Sequence, residues 1–282
     1  MFDTVETISK STVQHGPYND RIYLMKLNPE EDAEYLIEQL HNLTLQKKYT
    51  KIFAKIPQRV ESIFLANNFK LEAEIPGLYN GIEKGSFWGK YSNASRGFLN
   101  IEDKQTIEAV IDLANKAEDL SGSTLPKGYD LNILGEKEIP AIAALYKSIF
   151  QVYPFPVFDE DYLLETMRSH VNYYGLHNDG VLVAVSSAEM DRANSNAEMT
   201  DFATLPAHRG KNLSYFLLGQ MIEAMQLENI KTVYTIARAK SFGMNKTFGR
   251  QGFEFGGTLI NNTLIGESIE SMNVWYRSCS NL

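Results

Sequence analysis

The sequence predicts an α/β fold. Short runs of strand character alternate along the chain with stretches whose apolar residues recur at helical spacing. One stretch, 196–218, passes from strand to helix through a short basic turn. The order strand, helix, strand, turn, strand also occurs twice, with Phe69 falling on Phe253 at an offset of 184 residues.

At 282 residues the chain has room for one large or two ordinary domains. Apolar content of 44% is ample for a core, and charged content of 22% is ordinary. A formal charge of −8 with no basic run argues against nucleic acid as partner and is compatible with a cationic substrate. Met1 to Lys10 is polar and no apolar run reaches membrane-spanning length, so no membrane span is expected. Cys279 is the single cysteine. It permits no intramolecular disulfide, fits a reducing cytoplasm and excludes a cysteine-cluster metal site, and no metal is expected. Composition does not fix the oligomeric state, and a homodimer is compatible with it.

Residues 1–20 read as a polar lead-in or edge strand, and Arg21 to Leu27 as a strand. Asn28-Pro29-Glu30-Glu31-Asp32 predicts a helix start, with a capping Asn, a Pro suited to the first helical position and acids for the first turn. Tyr35, Leu36, Leu40, Leu43 and Leu45 continue that helix. Tyr49 to Ile56 is a strand closed by Pro57, Arg59 to Ala66 a helix stopped at Asn67-Asn68, and Phe69 to Ile75 an alternating strand. A turn at 77–81 leads to a strand over 86–91. A polar connector over 95–127 carries one amphipathic helix around Ile107, Val110 and Ala114. Ser121 to Gly128 is the linker, so the expected domains are 1–125 and 126–282.

Beyond the linker, Tyr129 to Leu134 is a strand and Ile139 to Phe150 a helix. An aromatic, proline-rich loop follows at 152–158, then a short helix over 160–170. Asn172 to His177 and Val181 to Met190 flank Asn178-Asp179-Gly180, a hairpin signal. The stretch from Asn196 starts as a strand, stops at Pro206, turns through Arg209-Gly210-Lys211-Asn212 and enters a helix at Leu213. The first-turn N–H groups of a helix lack internal partners and carry the positive end of its dipole, so this turn suits a phosphate. Lys231 to Ala237 is a strand, Ser241 to Arg250 a helix, and Glu254 to Leu259 a strand. Asn261-Asn262-Thr263 is expected to turn, and Glu270 to Ser278 is the last strand.

At the offset of 184, Ile52 falls on Ile236, Phe64 on Phe248 and Asn68-Phe69 on Gly252-Phe253, while Trp88 meets Trp275 after a shift of three. The N-terminal region therefore reads as a degenerate, partial copy of the C-terminal one. It has no Arg-Gly turn after its first strand and is not expected to bind a cofactor.

The element order over 129–278, with Arg209-Gly210-Lys211-Asn212-Leu213-Ser214 and Gly252-Phe253, resembles the GNAT acetyltransferases. The resemblance implies a mixed central sheet flanked by helices, and an acyl-CoA turn of the form Arg/Gln-x-x-Gly-x-Gly/Ala. Here Asn212 and Ser214 stand at the glycine positions; Asn tolerates a left-handed backbone and Ser is small. Over nearly the full length the chain is similar to the β-lysine N-acetyltransferases of methanogenic archaea and some bacteria. The similarity is carried by Asp20 to Leu27, Tyr49 to Pro57, Thr200 to Pro206, Gly243-Met244-Asn245, Asn261-Asn262-Thr263 and Met272 to Tyr276. It implies acetylation of the terminal amine of β-lysine with acetyl-CoA, the product serving as an osmolyte. A different amine (polyamine or protein lysine), or acyl-CoA sensing without catalysis, is the alternative.

On that resemblance, the main chain of 209–214 (Arg209, Gly210, Lys211, Asn212, Leu213 and Ser214) cradles the pyrophosphate. Phe202, Ala203 and Thr204 pair with the pantetheine, and Ser241 and Asn245 contact the cofactor. Glu198 is the first choice for the base that takes a proton from an ammonium of pKa near 10.4. Asp201 is the second choice, and only one of the two can face the cofactor unless a bulge intervenes. Glu189, Asp201 and Glu267 are expected at the substrate ammoniums, and Asn261 and Asn262 at its carboxylate. Phe248 replaces the family's acidic Tyr and cannot donate, so the expected alternatives are a thiolate that leaves unprotonated, one protonated by water, or one served by Tyr276 on the last strand.

Overall fold

A computed structural model describes residues 3–279. A hairpin, β1 (Thr4–Ile8) and β2 (Ser11–Gly16), opens the chain and leads into β3 (Arg21–Lys26) and α1 (Ala33–Lys47). Next come β4 (Lys51–Pro57), α2 (Glu61–Ala66), β5 (Lys70–Tyr79) and β6 (Glu83–Tyr91). Helix α3 (Ile101–Asn115), β7 (Tyr129–Leu134), α4 (Ile139–Ile149) and α5 (Glu160–Ser169) lead into β8 (Val171–Asn178) and β9 (Val181–Asp191). The remainder is β10 (Asn196–Thr204), α6 (Leu213–Leu227), β11 (Thr232–Arg238), α7 (Phe242–Arg250), β12 (Glu254–Ile265) and β13 (Ser268–Ser278).

All strands join one mixed sheet in the order β1-β2-β3-β4-β6-β5-β12-β13-β11-β10-β9-β8-β7. The order is nearly mirror-like about the β5–β12 seam. On one side β3 runs parallel to β4, which pairs antiparallel with β6; on the other β10 runs parallel to β11, which pairs antiparallel with β13. The repeat read from the sequence is thus a repeat of topology, down to single residues. Phe64 meets Phe69 edge-on at 4.9 Å, and Phe248 meets Phe253 edge-on at 5.4 Å. Asn68 and Gly252 hold the matching left-handed positions, with φ 62° and 71°. In both copies the following Phe N–H closes onto the earlier Phe carbonyl at 3.1 Å.

The seam has a single ladder register pair, Gly257 opposite Ala73. Side chains reinforce it. Three successive carbonyls of β12 accept from cations of the N-terminal half: Ile260 from Lys51 Nζ at 2.8 Å, Asn261 from Arg96 Nε at 2.8 Å and Asn262 from Arg21 Nη1 at 2.6 Å. One apolar cluster, including Tyr23, Phe53, Phe87, Tyr234 and Val274, crosses from one half to the other.

Two expectations change. The helix at 28–32 starts later, because Asp32 rather than Asn28 accepts the first-turn N–H groups, from Glu34 and Tyr35. Asn261-Asn262-Thr263 do not turn the chain. They lie in an irregularity of β12 between Leu259 and Thr263, held by the cations just named, and the strand continues to a turn at Gly266-Glu267. Helix α3, which precedes the predicted linker, packs on α7 of the C-terminal half, where a Cβ on Gly249 would lie 2.1 Å from the Ala114 carbonyl oxygen. Among the described residues no helix is long and apolar enough to cross a membrane.

Candidate active site

Strand β10 follows β11 only over Asn196 to Glu198, which pair with Thr232 to Tyr234. Beyond that point β10 stays with β9 and β11 stays with β13, so the two strands part. The facing edges of 199–204 and 235–238 carry main-chain groups free to receive an extended, amide-bearing chain. The cleft between them is lined by Phe202, Ala237, Ser241, Met244 and Phe248. Ser241 leads α7 without using its side chain as a cap, which leaves the hydroxyl available.

At the fork β10 bulges. Thr200 pairs with Ser187 but Ala203 pairs with Val185, so Asp201 and Phe202 oppose one residue, and Asp201 sits at φ 56°. The bulge resets the alternation, and both Glu198 and Asp201 open onto a second cavity of about 130 Å³ beside the cleft. The two hollows share Tyr153, Thr200, Asp201, Ile236 and Met272 as a common wall.

Three carboxylates meet in this cavity: Glu189, Glu198 and Asp201. Burial raises the pKa of Glu198 to about 8; the neighbouring charges of Glu189 and Asp201 push it further up, while Lys55 and a hydrogen bond from Tyr234 pull it down. Burial also raises Glu189 and Asp201. Asp201 accepts from Tyr153 and, at 2.5 Å, from Ser187 Oγ. Lys55 Nζ donates to the Tyr234 hydroxyl at 3.1 Å and so joins the same network.

The turn before α6 is exposed. Gly210 and Asn212 take left-handed φ values of 78° and 56°, so Asn212 does adopt the backbone of the glycine it replaces. Its side chain caps nothing and accepts from Arg250 Nη1 at 3.0 Å, which brings a second guanidinium to the turn. Arg209 Nε donates to the Thr204 carbonyl at 3.1 Å. Lys211 reaches back to Tyr129, with Nζ 2.7 Å from its hydroxyl and over its ring, and ties the turn to β7. Leu213 and Ser214 begin the helix, whose first-turn N–H groups have no intrahelical acceptor. The matching helix α1 has that end closed by Asp32, which blocks an anion there.

Not every expected residue gathers here. Asn245 is fully buried and spent: its amide donates to Arg238 and Ser241 carbonyls and accepts from Asn273 and Trp275. Asn261 donates to the carbonyls of Arg96 and Phe98, and only Asn262 of the pair lines the cavity. Glu267 is exposed in the β12–β13 turn. Tyr276 donates to Glu254 at 3.0 Å, outside both hollows, and burial with that bond raises its pKa to about 12. Phe248 is buried edge-on against Phe202. Sequence reasoning missed Arg21, Tyr23, Phe53 and Lys55, cavity residues supplied by the N-terminal half. Their alternation along β3 and β4 was visible, but not what those faces would meet.

Residues 139–253 match the model of the acetyltransferase (GNAT) family. The chain is 34% identical over 270 residues to a β-lysine N(6)-acetyltransferase of Methanococcus maripaludis, covering 96% of this chain and 97% of that protein. It is 30% identical over 267 residues to the N-acetyltransferase YodP of Bacillus subtilis, covering 94% of each. A β-lysine N(6)-acetyltransferase of Methanosarcina mazei is 40% identical over 155 residues, 55% of this chain and 57% of that one. A strand pair that forks over an acidic cavity, a basic turn at a helix start and these full-length similarities have one explanation: the chain belongs to the GNAT acetyltransferase family and is an N-acetyltransferase.

Proposed function

We propose that the protein transfers the acetyl group of acetyl-CoA to the terminal amine of β-lysine, giving N-acetyl-β-lysine, an osmolyte. The GNAT family uses acetyl-CoA as donor, and two full-length or half-length relatives bear β-lysine in their names. The observation that carries the reading is the meeting of Glu198 and Asp201 in a cavity that shares a wall with the β10–β11 cleft. An amine in that cavity lies beside whatever extended chain the cleft holds.

Acetyl-CoA would supply the activated acyl group as a thioester. The main chain of 209–214 with Arg209 and Arg250 would hold its pyrophosphate, and the free edge of Phe202 to Thr204 would take the pantetheine. Glu198 is the base. Its raised pKa brings it toward that of the ammonium, so proton transfer is less uphill than to an ordinary carboxylate. Asp201, fixed by Tyr153 and Ser187, and Glu189 hold the cation in place. Tyr153 borders both hollows, and its hydroxyl is held neutral by burial next to Asp201. We place the reaction in the cytoplasm, where a lone thiol stays reduced.

Mass spectrometry of β-lysine, α-lysine and spermidine, each incubated with acetyl-CoA and the purified chain, tests this. Acetylation of β-lysine above the others is the expected result. Transfer to spermidine in preference would move the substrate to polyamines. CoA binding without transfer to any amine would leave a sensor.

A further inference from the structure

Arg21 is a buried cation without a carboxylate partner of its own among the described residues. The residue is 5% exposed and lines the cavity. Nη1 donates to the Asn262 carbonyl at 2.6 Å and to Thr263 Oγ1 at 3.1 Å, while Nε is buried and meets no acceptor among the described residues. The rings of Tyr23 and Phe53 lie 5.3 and 5.5 Å from the guanidinium carbon. Asp3 and Glu72 favour its charge from nearby, but both are engaged elsewhere, Asp3 with Asn19 and Glu72 with Lys51 and Tyr91. Burial lowers its pKa only to about 10, so the guanidinium stays charged at neutral pH. Leaving such a charge uncompensated is costly.

A second unsatisfied atom lies in the same region. Asn262 Oδ1 is buried without a partner among the described residues, and Asn262 also lines the cavity. The two ends of an amide exchange by a half-turn, so this side chain can present an N–H to an anion.

The acids occupy the opposite end. Strands β3 and β4 run parallel, with Arg21 facing Lys51 and Leu24 facing Ala54. Lys55, whose charge acts on Glu189 and Glu198, is therefore four residues further along than the row of Arg21, roughly 13 Å at the usual strand rise. Tyr23 lies between and feels both Glu198 and Arg21. One end is the Arg21 cation, the other is three carboxylates with the single cation Lys55 among them, and the floor between is Tyr23 and Phe53. That is the complement of a linear amino acid with a distal amine. A polyamine has nothing to offer the guanidinium.

Resting on the acetyltransferase reading above, we propose that Arg21, helped by the Asn262 amide, is the subsite for the substrate carboxylate. The N-terminal half then fixes both the substrate class and the amine that is acetylated, since a carboxylate anchored at Arg21 directs the far amine to Glu198.

The test compares kcat/KM for β-lysine with that for 1,4-diaminopentane, the same skeleton without its carboxylate, in the wild-type chain, Arg21→Gln and Arg21→Lys. The wild type should favour β-lysine, and Arg21→Gln should lower that preference by about 100-fold, mostly through KM for β-lysine. Arg21→Lys, which keeps the charge and serves if the Gln variant misfolds, should recover part of the preference. An equal loss on both amines in either variant would mean a structural arginine and overturn the subsite alone. A wild type that acetylates 1,4-diaminopentane as well as β-lysine would also overturn it, with the acetyltransferase reading intact. No transfer to β-lysine by the wild type would remove the functional reading and this subsite with it.

Discussion

Glu198 and Asp201 lie three residues apart on one strand and open onto the same cavity. In a regular strand that spacing sends side chains to opposite faces. The bulge at Asp201 and Phe202, with Asp201 at φ 56°, cancels the alternation just beyond Glu198, the last residue of β10 paired with β11. One irregularity thus gathers the acids and opens the cleft that a thioester needs.

The first prediction concerns pH. With Glu198 as base and its carboxyl raised to about 8, kcat/KM for β-lysine should climb as pH rises toward 8 and level off beyond. Glu198→Gln should lose about 100- to 10,000-fold in kcat and lose that acid limb. Initial rates between pH 6 and 10 measure both; an unchanged limb in the variant would move the base to Asp201.

The same residue should cost stability. Its folded pKa is raised from 4.5 to about 8, so the folded state holds a proton that the unfolded chain releases. Stability therefore falls as pH rises from 4.5 toward 8 and stays low above that. Glu198→Gln does not titrate, so its gain over the wild type should be near zero at pH 5 and on the order of 1–3 kcal/mol at pH 9. Urea denaturation at the two pH values gives the difference.

A buried ion pair at the seam supplies a third test. Lys51 and Glu72 have side chains 0% and 4% exposed and meet at 2.8 Å. Removing one partner strands the other charge, so Lys51→Met and Glu72→Gln should each cost about 3–5 kcal/mol. The double variant should cost clearly less than the sum. A double-mutant cycle by chemical denaturation measures this, and additive losses would show that the pair is not coupled.

Gly257 sets the closeness of the two halves. It stands opposite Ala73 at φ 140°, and a Cβ there would lie 2.3 Å from the Glu72 carbonyl oxygen. Gly257→Ala should lower stability by about 2–4 kcal/mol and raise KM for β-lysine, because Arg21 and Lys55 would no longer sit square to the acids. Thermal unfolding with steady-state kinetics checks both. Loss of stability without a change in KM would mean that the cavity does not depend on the seam.

Much of the fold was legible because it rests on local patterns. Apolar residues mixed among Thr and acids marked β10, Pro206 its end, and Gly210 and Asn212 the turn into α6. The repeat was legible because Phe64, Asn68 and Phe69 make the same local closure as Phe248, Gly252 and Phe253. Boundaries failed where tertiary partners decided them. Asn28 looked like a cap, yet Asp32 took the role; Asn261 to Thr263 looked like a turn, yet cations from another strand hold them in β12. Asn245 was expected at the cofactor by resemblance, but Arg238, Ser241, Asn273 and Trp275 use all of its amide.

The sequence by itself determined the elements, the basic turn before α6 and, through two copies of the same local pattern, the internal repeat, because each rests on residues close along the chain; the acids Glu198 and Asp201 were reached only through the family resemblance. Tertiary structure alone decided that the acids share a face, that the two halves meet edge to edge at β5 and β12, and that Arg21 and Lys55 end at opposite ends of the cavity with Glu198. Those facts arise from a bulge and a seam, where pairing between strands about 180 residues apart, rather than any local preference, sets which side chains meet.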